Sequence, residues 1–392
     1  MNINAQGKRA CCGCMVCAIV CPASCISIQR DQDGYPVAVA DGDLCVDCGK
    51  CVDVCYKFQE RSTPPPALKS YVGYNLDESI RFSSSSGGVA SALVLTALEE
   101  GYTVVGAEMN YDTMRVEHVF ITDPGEIGRI MGSKYFPSYT LDAFSALQDV
   151  DKALVIATPC QISALRKAYK NKNFVYADLK CFGPMGYLAL EKYVRYLEGI
   201  NPSGIKSLNF RGKDISWKAW GPRVEFKDGG VYAKTSYKDL LGRIFNVYGC
   251  VHQTCHSCVY FKNASEADIR LEDAWHKMTL VTSDSWKRGL SQITAFTEKG
   301  LDFVSKAASR LKLEETTPSI VIAKRKTAPE KLLAMFRDKD VSLQVIARKY
   351  DRSQPVKRRV MNRLEYYLTL NRPLYLLVYR AFHLLKRMKV FR

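Results

Sequence analysis

The sequence predicts an α/β fold, α+β when the whole chain is counted, in which a small cysteine-rich domain precedes a larger domain and a helical basic tail. Two cysteine runs of identical spacing mark the small domain. Buried-strand patterns that alternate with helical patterns predict βα units in the larger domain. Apolar residues at three- and four-residue steps, mixed with Lys and Arg, predict the helical tail.

The first cysteine run has the spacing C-x2-C-x2-C-x3-C, and the second repeats it 34 residues later. This spacing is typical of bacterial two-cluster ferredoxins, in which three cysteines wrap one 4Fe-4S cubane and the fourth ligates the other cluster. We therefore predict two clusters in this domain. Their ligands are Cys11, Cys14, Cys17 and Cys55 for the first, and Cys45, Cys48, Cys51 and Cys21 for the second.

Zinc and disulfide bonds are the alternatives for these cysteines, since C-x2-C pairs also bind zinc. A zinc site needs four thiolates but does not require two identical four-cysteine runs, so the repeat favours iron–sulfur clusters. Tyr56 stands where a second proline is usual in ferredoxins. Cys12 and Cys25 fall outside the spacing and are predicted not to be ligands.

Composition favours a globular protein of two or three domains. The chain has 392 residues, 47% of them hydrophobic, and no apolar run of 18 residues. Fifteen cysteines without a secretory leader lead us to expect the reducing cytoplasm rather than a disulfide scaffold. The net charge of +16 is concentrated in residues 356–392, where ten Lys or Arg face one acidic residue, Glu365. This local charge argues against a nucleic-acid partner and predicts a basic surface in the tail.

Composition shifts divide the chain into five predicted segments. Residues 1–60 form the ferredoxin-type domain, with two short strands at 26–28 and 35–39 about an Asp-Gly turn. A proline-rich linker follows at 61–69. The larger domain and the tail make up the rest, as segments 70–150, 151–350 and 351–392.

A serine- and glycine-rich loop precedes a predicted helix at 90–98. Because such a loop offers N–H groups at a positive helix end, it suits a phosphate group. A second candidate is the turn that follows a short predicted helix at 125–131. A plain serine-rich loop and a solvated lysine are the alternatives. The candidate residues are Ser85, Ser86, Gly87, Gly88, Ser133, Lys134 and Tyr135.

Two predicted βα units each carry a cysteine just after the strand. Strand 153–157 precedes Cys160 and a helix at 162–169, and strand 174–178 precedes Cys181. Open α/β sheets bind ligands at these strand ends. With the C-x2-C pair Cys255 and Cys258, four thiolates are available for a third 4Fe-4S cluster. Buried structural cysteines are the alternative, and the competing ligand candidates are Cys250, His252 and His256.

Six segments of the larger domain, in this order and at suitable intervals, resemble the coenzyme F420 hydrogenase/dehydrogenase beta-subunit family. The resemblance covers roughly residues 70–300, with the ferredoxin-type domain in front. The segments are RFSSSSGGV at 81–89, GSKY at 132–135, ATPCQI at 157–162, DLKCFG at 178–183, the C-x2-C at 255–258 and ADIRLEDAW at 267–275.

The resemblance implies an α/β domain that binds FAD and a 4Fe-4S cluster. By position, the family's cluster cysteines correspond to Cys160, Cys181, Cys255 and Cys258. Three residues depart from the family's pattern: Ala157 replaces a glycine, Phe182 stands where histidine is common, and Glu272 replaces the glycine of G-D-x-W. These departures bear on the hydride partner more than on the flavin or the cluster.

The predicted function is an oxidoreductase that moves electrons between a hydride carrier, such as coenzyme F420 or another reduced substrate, and the clusters. FAD stands between them because it exchanges either one or two electrons. The partner is a redox protein or a small-molecule hydride carrier. The alternatives are an electron-transfer adaptor without its own active site, and an accessory protein at a membrane surface.

The tail is predicted to contain two helices separated at Pro373. Its helical face could lie on an anionic membrane, bind an acidic protein, or pack on the protein's own core. A membrane contact would make the protein peripheral on the inner membrane face. The apolar residues of this face are Leu364, Tyr367, Leu368, Leu374, Leu377, Val378, Phe382, Leu385 and Met388.

Overall fold

The structure is a computed structural model that describes residues 1–7, 10–59, 66–246, 251–261, 264–275, 277–319, 330–353 and 356–387. Cys250, Met388 and most of the predicted linker lie outside these ranges. The strands are β1 (Ile26–Arg30), β2 (Pro36–Ala40), β3 (Lys69–Asn75), β4 (Thr103–Asn110), β5 (Arg115–Ile121), β6 (Ser138–Tyr139), β7 (Lys152–Ala157), β8 (Asn173–Leu179), β9 (Ile205–Gly212), β10 (Gly221–Phe226), β11 (Val231–Ala233), β12 (Ile269–Asp273), β13 (Ser291–Ala295) and β14 (Leu311–Thr316).

The helices vary from single turns to four turns. They are α1 (Val16–Ile19), α2 (Lys50–Val54), α3 (Glu78–Ser83), α4 (Val89–Glu99), α5 (Ile127–Ile130), α6 (Leu141–Ala146), α7 (Pro159–Ala168), α8 (Tyr187–Glu198), α9 (Leu240–Asn246), α10 (Gln253–His256), α11 (Ser283–Arg288), α12 (Glu298–Lys306), α13 (Glu330–Arg337), α14 (Leu343–Ser353), α15 (Val356–Leu370) and α16 (Arg372–Arg387).

Nine of the described strands form one sheet in the order β14-β3-β13-β12-β8-β7-β4-β5-β6. Its centre, β12-β8-β7-β4, is parallel. Antiparallel pairs flank this centre, with β5 on one side and β13, β3 and β14 on the other. The α/β class predicted from the sequence is confirmed, in the form of a mixed sheet.

Helices cover both faces of this sheet. Neighbouring residues of β7, Leu154 and Val155, belong to different apolar clusters, because side chains alternate across a strand. Helices α4 and α12 pack on the face of Leu154, and α6 and α7 pack on the face of Val155. Burial on both faces explains why β7 and β8 are nearly continuous apolar runs.

The cysteine-rich domain packs on the layer that contains α6 and α7. Val16 and Val37 share one apolar cluster with Phe144 of α6. The hydroxyl of Thr140 donates a hydrogen bond to the backbone carbonyl of Cys14, at 2.9 Å. The first cysteine run is therefore fixed against the larger domain.

Helix α7 begins earlier than the sequence predicts. We expected its first residue at Ile162, but the helix starts at Pro159. The N–H and the hydroxyl of Thr158 both donate to Gln161 Oε1, at 2.9 and 2.8 Å, and proline is favoured in a first helical turn. Cys160 therefore lies inside the first turn of the helix and not in a loop ahead of it.

A smaller sheet and the last helices complete the described structure. Strands β11, β10 and β9 form an antiparallel sheet that packs with α8, α9, α13 and α14. In the tail, Tyr375 and Tyr379 of α16 pack on an apolar cluster that includes Trp286. Leu368 is buried whereas Tyr367 is exposed, so these two residues do not share one face as the sequence analysis assumed. Within the described ranges, no helix is long and apolar enough to span a membrane.

Candidate functional site

The first predicted ligand set lies on the buried side of the cysteine-rich domain. Cys11, Cys14, Cys17 and Cys55 are each at most 8% exposed, and the charge of Cys17 interacts with those of the other three. Burial raises the pKa of Cys11 to about 11 and that of Cys55 to about 12. Because metal coordination deprotonates such thiols outright, this group fits an iron–sulfur cluster that supplies the positive charge.

The second predicted ligand set lines one small cavity. Cys21, Cys45, Cys48 and Cys51 all contribute to its wall, as does Cys25. The sulfur of Cys25 lies 3.4 Å from that of Cys21. The side-chain amide of Asn2 donates a hydrogen bond to Cys45 Sγ at 3.3 Å. A cavity walled by five thiols, four of which are the predicted ligand set, fits a cluster. That this set ligates iron stays a prediction.

Strand register places two of the remaining cysteines at the same level. Ala157 of β7 pairs with Asp178 of β8, so Cys160 and Cys181 each follow a paired residue by three positions. Gly183 has φ +95°, and its N–H donates to Cys181 Sγ at 3.3 Å. A Cβ atom at Gly183 would lie 3.1 Å from Cys255 Cβ. The glycine thus allows Cys255 to approach Cys181.

Cys258, the fourth cysteine of this set, and Cys160 both lie near Tyr56. The phenol of Tyr56, which stands at the usual proline position, interacts electrostatically with both Cys160 and Cys258. Burial raises the pKa of Tyr56 far above its ordinary value. Of the competing candidates, His252 lies against Asp31, 3.6 Å from its carboxylate. Among the described residues, no three His, Cys, Asp or Glu side chains converge closely enough to hold a single metal ion.

Cys12 connects two of the three cysteine groups. Its thiol lies close enough to interact with Cys14 of the first group and with Cys160 of the third. The interaction with Cys12, together with the contact between Thr158 Oγ1 and Cys160 Sγ at 3.3 Å, lowers the pKa of Cys160 to about 7. The first and third groups are therefore neighbours across one side chain.

The two predicted phosphate-binding loops meet. The N–H of Ser133 donates to Ser85 Oγ at 2.7 Å. Other donors of the serine loop are already used: the Ser86 hydroxyl donates to the carbonyl of Leu290, and the Gly87 N–H donates to Ser291 Oγ, both at 2.9 Å. Gly88 has φ +79° and is the N-cap residue of α4. The loop is tied to β13, so it offers fewer free N–H groups than the sequence suggests.

Lys134 and Tyr135 are not the solvated side chains of a surface turn. The Lys134 ammonium donates to the carbonyls of Met131 and Arg129 at the end of α5, at 2.8 and 3.3 Å. Burial lowers the pKa of Lys134 to about 7 and raises that of Tyr135 to about 12. The ring of Tyr135 lies 4.1 Å from that of Phe245 between centroids. In this structure Lys134 caps a helix.

The sequence analysis missed a group of buried cations and indole rings beside these loops. Arg211 donates to the carboxylate of Asp273 at 2.6 and 3.3 Å. The indole N–H of Trp217 donates to the same carboxylate at 2.9 Å, and its ring stacks on Trp275. Asp273 and Trp275 belong to the ADIRLEDAW segment, so that motif was a usable signal. Arg211 and Trp217 lie outside every motif.

Lys213 ties the serine loop to its surroundings. Its ammonium donates to the backbone carbonyls of Arg81, Ser86 and Arg288, at 2.6, 2.7 and 2.5 Å. Burial lowers the pKa of Lys213 to about 7. The side chain therefore fixes the backbone of the loop that contains Ser85.

Comparison with known proteins identifies the family. Residues 70–145 match the N-terminal region, and residues 150–320 match the C-terminal region, of the coenzyme F420 hydrogenase/dehydrogenase beta subunit. The chain belongs to this family. The matched residues include both candidate loops and all four cysteines of the third group.

Two further similarities concern single proteins. The chain is 35% identical over 66 residues to NADH-quinone oxidoreductase subunit I of Pelobacter propionicus, which is 14% of this chain and 34% of that protein. It also resembles a chain of the F420-reducing [NiFe] hydrogenase complex from Methanosarcina barkeri. That match has 19% identity and a TM-score of 0.48, and it covers 75% of this chain and 94% of the other. Membership of a hydrogenase/dehydrogenase family indicates an oxidoreductase.

Proposed function

We propose that this protein is an iron–sulfur flavoprotein oxidoreductase that moves electrons between a hydride carrier and 4Fe-4S clusters through FAD. The carrier is a deazaflavin such as coenzyme F420 or another reduced small molecule. The observation that supports this best is the position of Cys12 between Cys14 and Cys160. Adjacent cysteine groups suit electron transfer, because its rate falls steeply with distance.

The proposed ligands range from buried, as in the first group, to exposed, as at Cys48, and several of their sulfurs accept hydrogen bonds. Iron–sulfur clusters exchange one electron at a time, and FAD links them to a two-electron hydride carrier. Hydrogen bonds to the sulfurs and exclusion of water set the potential of such a site. The N–H of Gly183 at Cys181 and the amide of Asn2 at Cys45 are bonds of this kind. The proposed ligands are Cys11, Cys14, Cys17 and Cys55; Cys21, Cys45, Cys48 and Cys51; and Cys160, Cys181, Cys255 and Cys258.

FAD is proposed to bind where the two loops meet. The hydrogen bond between Ser133 and Ser85 joins the two loops. Lys213 binds the backbone beside the serine loop, and Arg211 lies two residues before Lys213 in the chain, so polar groups and cations lie in one region. The proposed contacts come from Ser85, Ser86, Gly87, Gly88, Ser133, Lys134 and Tyr135, with Lys134 turning from its helix cap toward a phosphate.

Two departures from the family pattern bear on which hydride carrier binds. Glu272 accepts a hydrogen bond from the hydroxyl of Ser319 at 2.6 Å, and burial raises the pKa of this carboxyl. The ring of Phe182 packs edge-on against Phe261, with 5.9 Å between centroids. A carboxyl and a phenyl ring where the family has glycine and histidine are expected to alter which hydride carrier fits.

We also propose a role for each segment of the chain. Residues 1–60 act as a ferredoxin-type domain, 70–350 as the FAD and cluster domain, and 351–392 as a basic helical tail. The protein works in the cytoplasm, and its tail contacts either an anionic membrane or an acidic protein. The exposed leucines and the ten Lys or Arg of the tail support this contact.

Anaerobic purification tests the proposal. The intact protein should contain about twelve irons, which is three 4Fe-4S clusters, and one FAD released by denaturation. Reconstitution with FMN serves as the control for flavin identity. Protein that holds iron but retains neither flavin would act as an electron-transfer adaptor, and stoichiometric zinc without iron would refute the cluster assignment.

A further inference from the structure

The two cysteine groups of the ferredoxin-type domain differ in their access to solvent. The first group is buried, with no member more than 8% exposed, and it faces the larger domain through Cys12. In the second group, Cys48 is exposed and Cys45 is half-buried. A protein from outside can therefore approach the second group closely but not the first.

The surface around Cys48 is apolar at its centre and acidic at its rim. Leu44 and Val46, on either side of Cys45, are 59% and 66% exposed. Asp43 and Asp47 are exposed beside them, and Asp47 also pairs with the N-terminal ammonium of Met1 at 3.3 Å. This rim is a local reversal of sign, since the chain as a whole carries a net charge of +16. An apolar centre with a charged rim is the arrangement of a protein–protein contact.

We infer that residues 41–48, the Cys48 loop, are the docking surface for a redox protein whose own exposed centre is ringed by Lys and Arg. This inference rests on the proposed function, because it requires a cluster on Cys21, Cys45, Cys48 and Cys51. The partner's cations meet Asp43, and compete with the Met1 ammonium for Asp47, which speeds the encounter. Leu44 and Val46 exclude water at the contact.

The transfer at this surface is a one-electron step. One electron leaves the reduced group behind the Cys48 loop and reduces one ferric centre of the partner to ferrous. No bond forms or breaks and no proton moves. The reverse direction uses the same contact with donor and acceptor exchanged.

The matched pair Asp43→Lys and Asp112→Lys tests the inference. Each aspartate is exposed, and in each case the backbone N–H donates to the side-chain oxygen two residues earlier, at 2.9 Å to Asp41 and 3.1 Å to Asn110. Substituting the side chain leaves both bonds in place. Asp112 lies in the turn between β4 and β5, so its variant carries the same charge change outside the Cys48 loop.

The probe is mitochondrial ferricytochrome c, a haem protein with a basic rim. The holoprotein is reduced with dithionite and separated from the excess reagent by anaerobic gel filtration. At low ionic strength, Asp43→Lys should slow reduction of the probe by this protein about tenfold or more, and weaken binding measured by calorimetry in parallel. Asp112→Lys should match the wild type, and high salt should remove the difference. Reduction of benzyl viologen, which needs no docking surface, should be equal in all three proteins.

The possible results separate this inference from the proposed function. Suppose that iron is present and viologen is reduced, but that neither salt nor Asp43→Lys changes the reduction and binding of cytochrome c. The proposed docking surface is then wrong, and the cluster assignment stands. If Asp43→Lys accelerates the reaction, the contact has the opposite charge and the inference is again wrong. If the protein holds no iron, the proposed function fails first.

Discussion

The indole rings of Trp217 and Trp275 lie parallel, with 4.1 Å between their centroids and 2° between their planes. Asp273, two residues before Trp275, accepts hydrogen bonds from the indole of Trp217 and from Arg211. The guanidinium of Arg211 also lies 5.6 Å from the centre of the Trp275 ring. One carboxylate therefore neutralises a buried cation and orients one member of the stacked pair.

Asp273→Ala is expected to be strongly destabilising, because it leaves the Arg211 charge buried without its partner. Breaking a buried ion pair in this way costs about 3–5 kcal/mol. The control is Asp214→Ala, which breaks the more exposed pair of Asp214 with Arg223 and should cost about 1 kcal/mol or less. Chemical denaturation of both variants measures the difference. Equal losses of unfolding free energy would contradict this account of Asp273.

Gly183→Ala is expected to remove the third cluster. The new Cβ would meet Cys255 Cβ and Val251 Cβ, each at 3.1 Å, so Cys255 must move away from Cys181. Gly229→Ala is the matched control: its φ of +88° is close to that of Gly183, but its Cβ meets nothing within 4 Å. Both variants bear left-handed backbone strain of about 1–2 kcal/mol. Only Gly183→Ala should lose about four irons in anaerobic analysis.

Cys258→Ser tests the third ligand set directly. We expect the intact variant to lose one cluster, about four irons, while the electron paramagnetic resonance signal of the ferredoxin-type domain remains. Cys12→Ser is the control, because Cys12 interacts with Cys14 and Cys160 but is not a proposed ligand. Unchanged iron in Cys258→Ser would identify these residues as structural cysteines, and iron loss in Cys12→Ser would make Cys12 a ligand.

Local patterns were enough to predict the fold class, for a physical reason. The grouping of the cysteines stays a prediction: Cys21 lines the cavity of the second set, while Cys17 interacts with Cys55 and also with Cys51. The strands that precede Cys160 and Cys181 are apolar runs, which only a sheet buried on both faces explains.

The surroundings of the predicted flavin-binding loops could not be predicted from local sequence patterns. Lys134 looks like a solvated lysine in sequence, but the terminal carbonyls of α5 bind its ammonium. Arg211 and Lys213 lie at the end of β9 and beyond it, far along the chain from the serine loop. Their contacts with Asp273 and Ser86 depend on how the small sheet packs against the large one, and no local spacing encodes that.

His118 is expected to make stability depend on pH. It is 6% exposed, and burial lowers its pKa to about 4 from an ordinary value near 6.5. The unfolded chain therefore binds a proton between these values that the folded protein does not, so stability falls as pH falls from about 6.5 to about 4. Near pH 5 the loss should be about 2 kcal/mol relative to pH 7.5.

The variant His118→Gln isolates this effect from acid damage to the clusters. Denaturation of wild type and variant at both pH values gives the difference in their pH-dependent losses, and cluster lability cancels because it affects both. The variant should retain its stability better by about the amount that His118 contributes. Parallel curves for the two proteins would show that His118 does not titrate in this range.

The tail offers the last test. On α16, Leu374 and Leu377 are 45% and 66% exposed, while Tyr375 packs against Trp286 with 5.2 Å between ring centroids. Because one side of the helix is part of the protein core, truncation of residues 355–392 should destabilise the fold and cannot by itself identify a membrane contact. A surface variant can do so without removing that packing.

We expect the intact protein to co-sediment with anionic phosphatidylglycerol vesicles at low salt and to dissociate as salt screens its basic tail. The double variant Leu374→Glu/Leu377→Glu should bind at least tenfold more weakly, because it puts two charges on the proposed lipid-facing side. Leu76→Glu, at a position that is 53% exposed before α3, is the control and should bind like the wild type. If the wild type stays in the supernatant at low salt, the membrane contact is wrong. Binding to an acidic polypeptide such as polyglutamate would then support the alternative partner.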